Sequence, residues 1–548
     1  MLLWGGVRVS AGRWRRVVSW VVTGAALAFV LFALLLPNRV GRVAPEAFVR
    51  VPIEGVCGLG ALLLLRGRWR KAAAVLGGTL LGIVLVVKVL DMGFHEVLVR
   101  PWDPVLDWAF VGAGWEFFTA SYGGVFAGVA VVAAGIVAVV LMALASLRVA
   151  GVAGRNGDVA GRVVIGLWAV WTAGTVFGAQ FVPGVPVASR DTARLAVGRA
   201  LKVRDGLRDK RAFAREAEAD AFRGVPGSRM LEALRGKDVV IAFVESYGRS
   251  AVQDPRYARR VGAVLDAGTE RLRRAGVGAR SAFLTSSTAG GGSWLAHATL
   301  LSGVWVDSQQ RYRALVSGDR LTLNGAFRRA GWRTSAFMPA ITRAWPEGGF
   351  FEYGKVYDSR NLGYRGPRFA YATMPDQYTL SAVQRFERDA HAGPVMVETA
   401  LVSSHAPWAA VPNGVVDWRR VGDGSVFNGQ GAGLDARMPA DVRGAYRRSI
   451  EYSLSTLVSY AETHGDDDLV LVFLGDHQPA PLITGENAGR DVPVTVVARD
   501  RKVLDRIAGW GWRDGLRPGP DAPVWSMRDF RDRFLTAFGS RPDPDAHR

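Results

Sequence analysis

Residues 17–36 form a twenty-residue run without a single charge, ending at Pro37-Asn38-Arg39. A run of that length crosses the hydrocarbon core of a bilayer, about 30 Å thick. In lipid the backbone must satisfy its own polar groups, so the segment has to be helical. Four later stretches share the property to different degrees. Residues 43–65 are interrupted by Glu46, Arg50 and Glu54, whereas 72–90 are apolar until Lys88, whose long stem can snorkel toward the interface. Residues 122–147 and 163–182 are cleaner, and five spans are expected in all. The chain has 548 residues and is 49% hydrophobic, but that share is concentrated in the first third, after which the pattern is that of a globular protein. Two regimes on one polypeptide imply a membrane region over 1–186 and a soluble domain over 238–548. An Arg-, Glu- and Ala-rich helical linker over 187–237 joins them.

Basic residues set the expected orientation. Arg8, Arg13, Arg15 and Arg16 precede the first span, Arg66, Arg68, Arg70 and Lys71 lie between the second and third, and Arg148, Arg155 and Arg162 precede the fifth. These segments are expected on the cytoplasmic side, and an odd number of spans then places everything beyond about residue 183 outside the cytoplasm. Between the third and fourth spans, residues 105–118 are too short to cross and carry Asp107 and Glu116, with Trp102, Trp108 and Trp115 nearby. An interfacial or re-entrant helix is expected there. The formal net charge of +19 suits a nucleic-acid binder, but the arginines are scattered and no nucleic-acid-binding motif is present, so no nucleic-acid partner is expected. The single cysteine, Cys57, forms no intrachain disulfide.

In the soluble part, polar groups follow buried-strand patterns. Residues 239–244 are a continuous apolar run of the kind buried on both faces of a parallel sheet, and Glu245 follows directly. Residues 469–474 repeat the pattern and lead into Gly475, Asp476 and His477, while 395–401 lead to His405 in SSHAPW. The fold class expected is therefore a polytopic helical membrane region followed by an α/β domain with a mostly parallel central sheet, whose carboxyl edge carries the chemistry. Carboxylate, carboxylate and imidazole at that edge suit one hard or borderline cation. Glu245 alone also fits a helix-capping role. His405 is placed to bind a phosphoryl oxygen or to protonate a leaving group.

The segment TAGGGSWLAHATLLSG places Ser293 after three glycines, at or next to the start of a helix whose Leu295, Ala298 and Leu301 face inward. A hydroxyl at the positive end of a helix beside a cation is a nucleophile; taken alone it is also a simple cap. Ser286, Ser287 and Thr288 are rivals upstream. His297, one turn into the helix, is a candidate substrate or supporting residue.

In FVESYG, GGGSWLAHATLLSG and FLGDHQPA the chain resembles the alkaline phosphatase/sulfatase superfamily, and within it the membrane-anchored lipoteichoic acid synthase-like branch. The resemblance implies Glu245, Ser293, Asp476 and His477 as metal ligands, Ser293 as nucleophile in place of a more usual threonine, and His405 as the substrate-side histidine. It also implies one divalent cation, manganese first, with magnesium or zinc fitting the same donors. Two departures bear on substrate. The sulfatase maturation signal needs Pro or Ala and then Arg where this chain has Leu295 and His297. The family's polar-head pocket falls on FMPAITRAWPEGG, which offers Arg343 and Trp345 in a different order and without histidine. The expected activity is transfer of a phospho-head group from a membrane phospholipid donor to an envelope glycan or lipid acceptor. The alternative is hydrolysis of a sulfate or phosphate ester.

Overall fold

The computed structural model describes residues 11–103, 125–369, 371–431, 438–485 and 488–539. The interfacial helix expected over 105–118 lies outside them. The chain divides into two compact units, with most of the first lying before Gly206 and most of the second in Leu207–Arg548.

In the first unit, α1 (Ala11–Leu35), α2 (Ile53–Leu64), α3 (Gly67–Leu98), α4 (Val125–Arg155) and α5 (Gly157–Val176) carry the apolar sequence. Four of them contain membrane-length spans: Trp14–Leu35, Gly67–Glu96, Val129–Arg155 and Gly157–Val176. The protein is therefore a multi-pass one with a large extramembrane domain. The second expected span is a correction. Residues 43–52 are not helical membrane sequence but short 3-10 turns and a two-residue strand, β1 (Val51–Pro52), leaving α2 only twelve residues. Pro45 and Pro52 interrupt helical bonding there. The charges that spoiled the apolar run have partners: Arg50 pairs with Asp191 at 2.7 Å and Glu54 accepts the backbone N–H of Ala193 at 2.7 Å.

These contacts collect one end of the unit. A hairpin of β2 (Gln180–Val182) and β3 (Val185–Pro186) leads into β4 (Ala188–Ser189), which pairs in parallel with β1. Asn38, just after α1, donates to Asp91 of α3 at 3.2 Å. Lys88 does not snorkel. It is 2% exposed and spends its three donors on the carbonyls of Ala33 and Leu34, at 2.8 and 3.0 Å, and on the Thr192 hydroxyl at 2.9 Å. Those carbonyls belong to the last turn of α1, where intrahelical partners run out, so the ammonium caps one helix from another. At the opposite end, Arg148 of α4 donates to the Ser19 carbonyl and the Thr23 hydroxyl of α1, both at 3.0 Å, and Arg70 donates to the Leu65 carbonyl at 2.8 Å. The start of α2 lies at the first end and the start of α3 at the second. The chain therefore returns between them through a helix about 18 Å long plus two residues. Among the described residues four helices are of membrane length and α2 runs back between the two ends as a shorter apolar one, and the Arg-rich starts of α1 and α3 share an end with Arg148 and Arg155.

The helix α6 (Asp191–Glu218) follows. The second unit contains a nine-stranded sheet of β5 (Asp238–Val244), β6 (Gly278–Thr285), β7 (Arg333–Met338), β8 (Lys355–Asp358), β9 (Val395–Leu401), β10 (Leu469–Gly475), β11 (Asp491–Ala498), β12 (Arg513–Asp514) and β13 (Val524–Ser526). Its order is β12-β6-β11-β10-β5-β9-β7-β8, with β13 beside β6. The block β10-β5-β9-β7-β8 is parallel, and β11 is antiparallel to both β10 and β6. The apolar run of β5 is buried on both faces: Val239, Ile241 and Phe243 pack into one core and Val240, Ala242 and Val244 into the other. α7 (Pro255–Arg274) and α10 (Val442–His464) cover one side; α8 (Ser293–Ser302) and α11 (Asp529–Phe538) cover the other, and α9 (Asp376–Val383) precedes β9. The carboxyl end of α6 and the turn after it are tied to this unit. Asp209 pairs with Arg311, and Asp220 meets the fully buried guanidinium of Arg531 at 2.9 Å.

Two outcomes follow from the membrane unit. Reporter fusions after Gly41 and Ala200 should read outside the cytoplasm and fusions after Trp69 and Gly154 inside it; a cytoplasmic signal at Ala200 contradicts a chain that returns through α2. Lys88→Ala strands the Ala33 and Leu34 carbonyls and should cost about 1–3 kcal/mol, read as a lower unfolding midpoint in detergent.

Candidate active site and metal centre

Parallel register assembles the site. Val244 is opposite Gly475 of β10 and opposite Leu401 of β9, so the residues that follow these three strands emerge side by side at one edge. Glu245 is the first residue past β5, Asp476 and His477 the first two past β10, and Ser404-His405 lie a few residues past β9. Gly475 is required at its position: a Cβ there would sit 1.8 Å from the Tyr247 carbonyl oxygen. One ligand atom from each of Glu245, Asp476 and His477 lies within 4.8 Å of the others.

Ser293 comes to this cluster from α8. Gly290, Gly291 and Gly292 have φ values of 76, 157 and 79°, a left-handed run that side chains with a Cβ resist. Gly292 is the cap and Ser293 the first helical residue, so the serine hydroxyl is not spent on capping. Instead Oγ lies 3.1 Å from Glu245 Oε2 and 3.2 Å from His477 Nε2. Leu295, Ala298 and Leu301 are buried as the helical spacing requires. The three rivals have other work: Ser286 Oγ donates to the Asp476 carbonyl at 2.6 Å, Ser287 Oγ accepts from Thr299, and Thr288 bonds the Gly291 carbonyl.

Asp476 and His477 are each 1% exposed and Glu245 is 11% exposed. Asp476 Oδ1 accepts the backbone N–H groups of Ser246 and His477 at 2.8 and 2.7 Å, and its Oδ2 lies 3.5 Å from His477 Nε2. Glu245 Oε1 accepts from the Ser246 hydroxyl at 2.8 Å. His477 Nδ1 faces the Gln478 carbonyl at 2.9 Å, which makes it the protonated nitrogen and leaves Nε2 free to ligate. Burial pushes both carboxyls up. At Glu245, His405, His477 and the Ser246 hydroxyl outweigh burial and hold the carboxyl well below its ordinary range. At Asp476, burial and the Glu245 charge win, and the carboxyl rises. Burial lowers the His477 imidazole, but the two carboxylates reverse this and leave it raised. Two crowded carboxylates with no Lys or Arg paired to them among the described residues are costly unless a cation joins them. The donor set fits a divalent cation, with the serine hydroxyl as a further oxygen. A hydroxyl set into a cluster able to hold a metal suits catalysis.

The His405 loop is clamped from behind. Ser404 Oγ donates to the Glu245 carbonyl at 2.5 Å, and Trp408, at φ 57°, donates its indole N–H to the Ser404 carbonyl at 2.6 Å. The His405 ring stacks on Tyr371 at 4.1 Å, and its Nδ1 lies 2.5 Å from the Ala406 carbonyl, leaving Nε2 for a ligand. Asp376, fully buried at the start of α9, accepts the Ser403 N–H at 2.9 Å and the Ser453 hydroxyl at 2.6 Å, and its own N–H bonds Ser403 Oγ. Sequence reasoning missed it, because nothing in MPDQY marks a carboxylate that meets residue 403. It also missed Glu398, inside an apolar strand and 1% exposed, which binds His297 Nδ1 at 2.7 Å and accepts from the Tyr353 hydroxyl. A charged residue within VMVETAL was the available signal. Trp345 is half-buried against Phe351 and Tyr353, and Arg343 is exposed on the loop after β7.

The sequence matches no family model and no curated protein. Among solved structures the chain is similar to the lipoteichoic acid synthase LtaP from Listeria monocytogenes, at 14% identity and TM-score 0.39, over 57% of this chain and 74% of that one. It is similar to the zinc complex of the periplasmic domain of EptC from Escherichia coli, at 13% identity and TM-score 0.37, over 57% and 85%. It is also similar to the phosphoglycerol transferase GacH from Streptococcus pyogenes with sn-glycerol-1-phosphate, at 12% identity and TM-score 0.34, over 61% and 91%.

The purified protein should bind one divalent cation per chain by elemental analysis, and the Asp476→Ala/His477→Ala double variant should bind none. Both groups must lose their protons to ligate, and both are raised, Asp476 to about 6. Affinity should therefore fall as pH drops through that region and binding should release protons, both measurable by calorimetry in buffers of different ionisation enthalpy.

Proposed function

We propose that this protein is a membrane-anchored member of the alkaline phosphatase/sulfatase superfamily. Its reaction is the transfer of a phospho-head group from a membrane phospholipid to an envelope glycan or lipid acceptor through a covalent intermediate on Ser293. One observation carries the reading: an uncapped serine hydroxyl at a helix start, 3.1 and 3.2 Å from a carboxylate and an imidazole of a buried metal-capable cluster. A chain with multiple membrane passes adds a reason for a lipid donor, since tethering raises the effective concentration of a substrate confined to the same bilayer.

Glu245, Asp476, His477 and the Ser293 hydroxyl would hold a divalent cation, manganese by the family resemblance. Bound there, it supplies Lewis acidity that eases loss of the serine proton and offsets phosphoryl charge. Ser293 Oγ, its proton already passed to solvent, attacks phosphorus, forming a P–O bond as the bond to the diacylglycerol oxygen breaks, and it is released in the same deprotonated form in the second half. The amino end of α8 directs its first amides and positive dipole end toward the same anion. His405, with Nδ1 turned to the Ala406 carbonyl, gives its Nε2 proton to the departing alkoxide. In the second half the acceptor hydroxyl enters where the alcohol left. Its proton passes to His405 as the new P–O bond forms and the bond to Ser293 breaks. Arg343 and Trp345, in the loop after β7, complete the substrate side in this proposal.

Purified full-length protein in vesicles of phosphatidylglycerol or phosphatidylethanolamine should release diacylglycerol in a divalent-cation-dependent way, and head-group preference identifies the transferred unit. Ser293→Ala should change stability by under about 1 kcal/mol, since no cap is lost, yet lower turnover by about a thousandfold or more. Mass spectrometry should find the phosphoester on the peptide holding Ser293. Aryl sulfate hydrolysis without lipid cleavage would replace the transferase by the sulfatase alternative.

A further inference from the structure

The pair Glu398 and His297 is costly and unused by the mechanism above. Glu398 sits within β9 at 1% exposure, opposite Ile241 of β5, where a strand buried on both faces ordinarily carries an aliphatic residue. Both carboxylate oxygens are occupied. Oε1 faces His297 Nδ1 at 2.7 Å, and Oε2 accepts from the Tyr353 hydroxyl. Burial, then the Glu398 charge, pushes the Tyr353 pKa far up, so that hydroxyl keeps its proton and donates. A carboxylate only accepts, so Nδ1 is the protonated nitrogen of His297. The ring is fixed in its plane as well, stacked on Phe243 of β5 with centroids 3.7 Å apart and planes 14° apart.

These contacts join three elements. His297 belongs to α8, four residues and one turn from Ser293. Phe243 lies two residues before the ligand Glu245 on β5, and Glu398 lies on β9, whose end leads to His405. The segment entering α8 is a run of three left-handed glycines, held upstream of Ser293 by the Gly290 N–H on the Gln478 carbonyl at 2.8 Å and by Thr288 on the Gly291 carbonyl, and His297 adds the tie on the downstream side. One imidazole thus connects the nucleophile's helix to the strand of a metal ligand and to the strand of the substrate-side histidine.

We propose that Glu398, acting through His297 and held by Tyr353, is a positioning residue that sets where Ser293 stands relative to Glu245 and His405. Its effect falls on the geometry of attack more than on cation binding, because the other three groups are held without it, Asp476 and His477 by backbone contacts and Glu245 by the Ser246 hydroxyl. The identity of the reaction rests on the function proposed above; the positioning role does not depend on the head group or acceptor.

The test compares His297→Phe, which keeps the stack and loses the N–H, with His297→Asn, whose amide can still donate to the carboxylate, and with Glu398→Gln and Tyr353→Phe. On a soluble chromogenic phosphodiester with manganese, His297→Phe should lower kcat by about 100-fold. KM should stay within about twofold, and His297→Asn should recover most of the loss. Glu398→Gln and Tyr353→Phe should fall between. Manganese affinity by calorimetry should fall far less than kcat throughout, since only one of the four ligands is moved. Independently of any turnover, amide exchange of residues 290–297 should quicken in His297→Phe and not in His297→Asn, with residues 239–244 unaffected. Unchanged exchange over 290–297 in His297→Phe overturns the positioning role, as does an equal loss of kcat in the Asn and Phe variants. Faster exchange in a protein that cleaves no lipid leaves the positioning role standing and removes the proposed function.

Discussion

The pairing of β5 between β10 and β9 is the constraint on which the site depends. In a parallel pair all strands end at the same edge, so the residue after Val244 and the residue after Gly475 are neighbours by geometry. That pairing brings positions 245 and 476 together although more than two hundred residues separate them. The same pairing with β9 delivers the loop of Ser404, whose hydroxyl holds the Glu245 carbonyl. The site is an edge property of the sheet, and its stability is that of the two cores packed on either face.

Placing two carboxylates and an imidazole at that edge costs desolvation and mutual repulsion, visible in the raised Asp476, whereas at Glu245 the two imidazoles and the Ser246 hydroxyl outweigh burial. The fold pays part of this with backbone amides aimed at Asp476 and with the Ser246 hydroxyl at Glu245. Ser246 itself sits at φ 56°, a conformation held in place by the contacts around it. The remainder is the driving force for taking up a cation. A second layer of buried charge, Asp376 behind the His405 loop and Glu398 behind α8, is likewise satisfied by directed hydrogen bonds. Buried carboxylates in this domain are thus used for orientation as much as for ligation.

The membrane unit solves a related problem with the opposite economy. Its few buried polar groups close helix ends, as Lys88 does for α1. The shortness of α2 follows from the same logic: Arg50 and Glu54 are matched to Asp191 and to the Ala193 amide, so the chain gives up helical span to keep its charges paired at one end.

Periodicity and punctuation in the chain were enough for much of this. The apolar runs before Glu245 and Asp476, the run 395–401 and the triple glycine before Ser293 each predict an element whose observed bounds agree, because backbone burial and left-handed φ are local demands written in local residues. The length of the second pass was not legible, since the partners of Arg50 and Glu54 lie about 140 residues away and a hydrophobicity pattern carries no pairing information. Lys88 failed for the same reason: its acceptors are on other helices. The candidate ligands Glu245, Asp476 and His477 could be named from strand ends and from resemblance. The spacing that lets them hold a metal, the clamps of Asp376 and Glu398, and the tie of His297 arise only when register and packing bring distant residues within hydrogen-bond reach. Sequence determines which residues can do chemistry and which segments end at the sheet edge; tertiary structure decides which of them meet, because contact between remote side chains is a property of strand order and not of any local pattern.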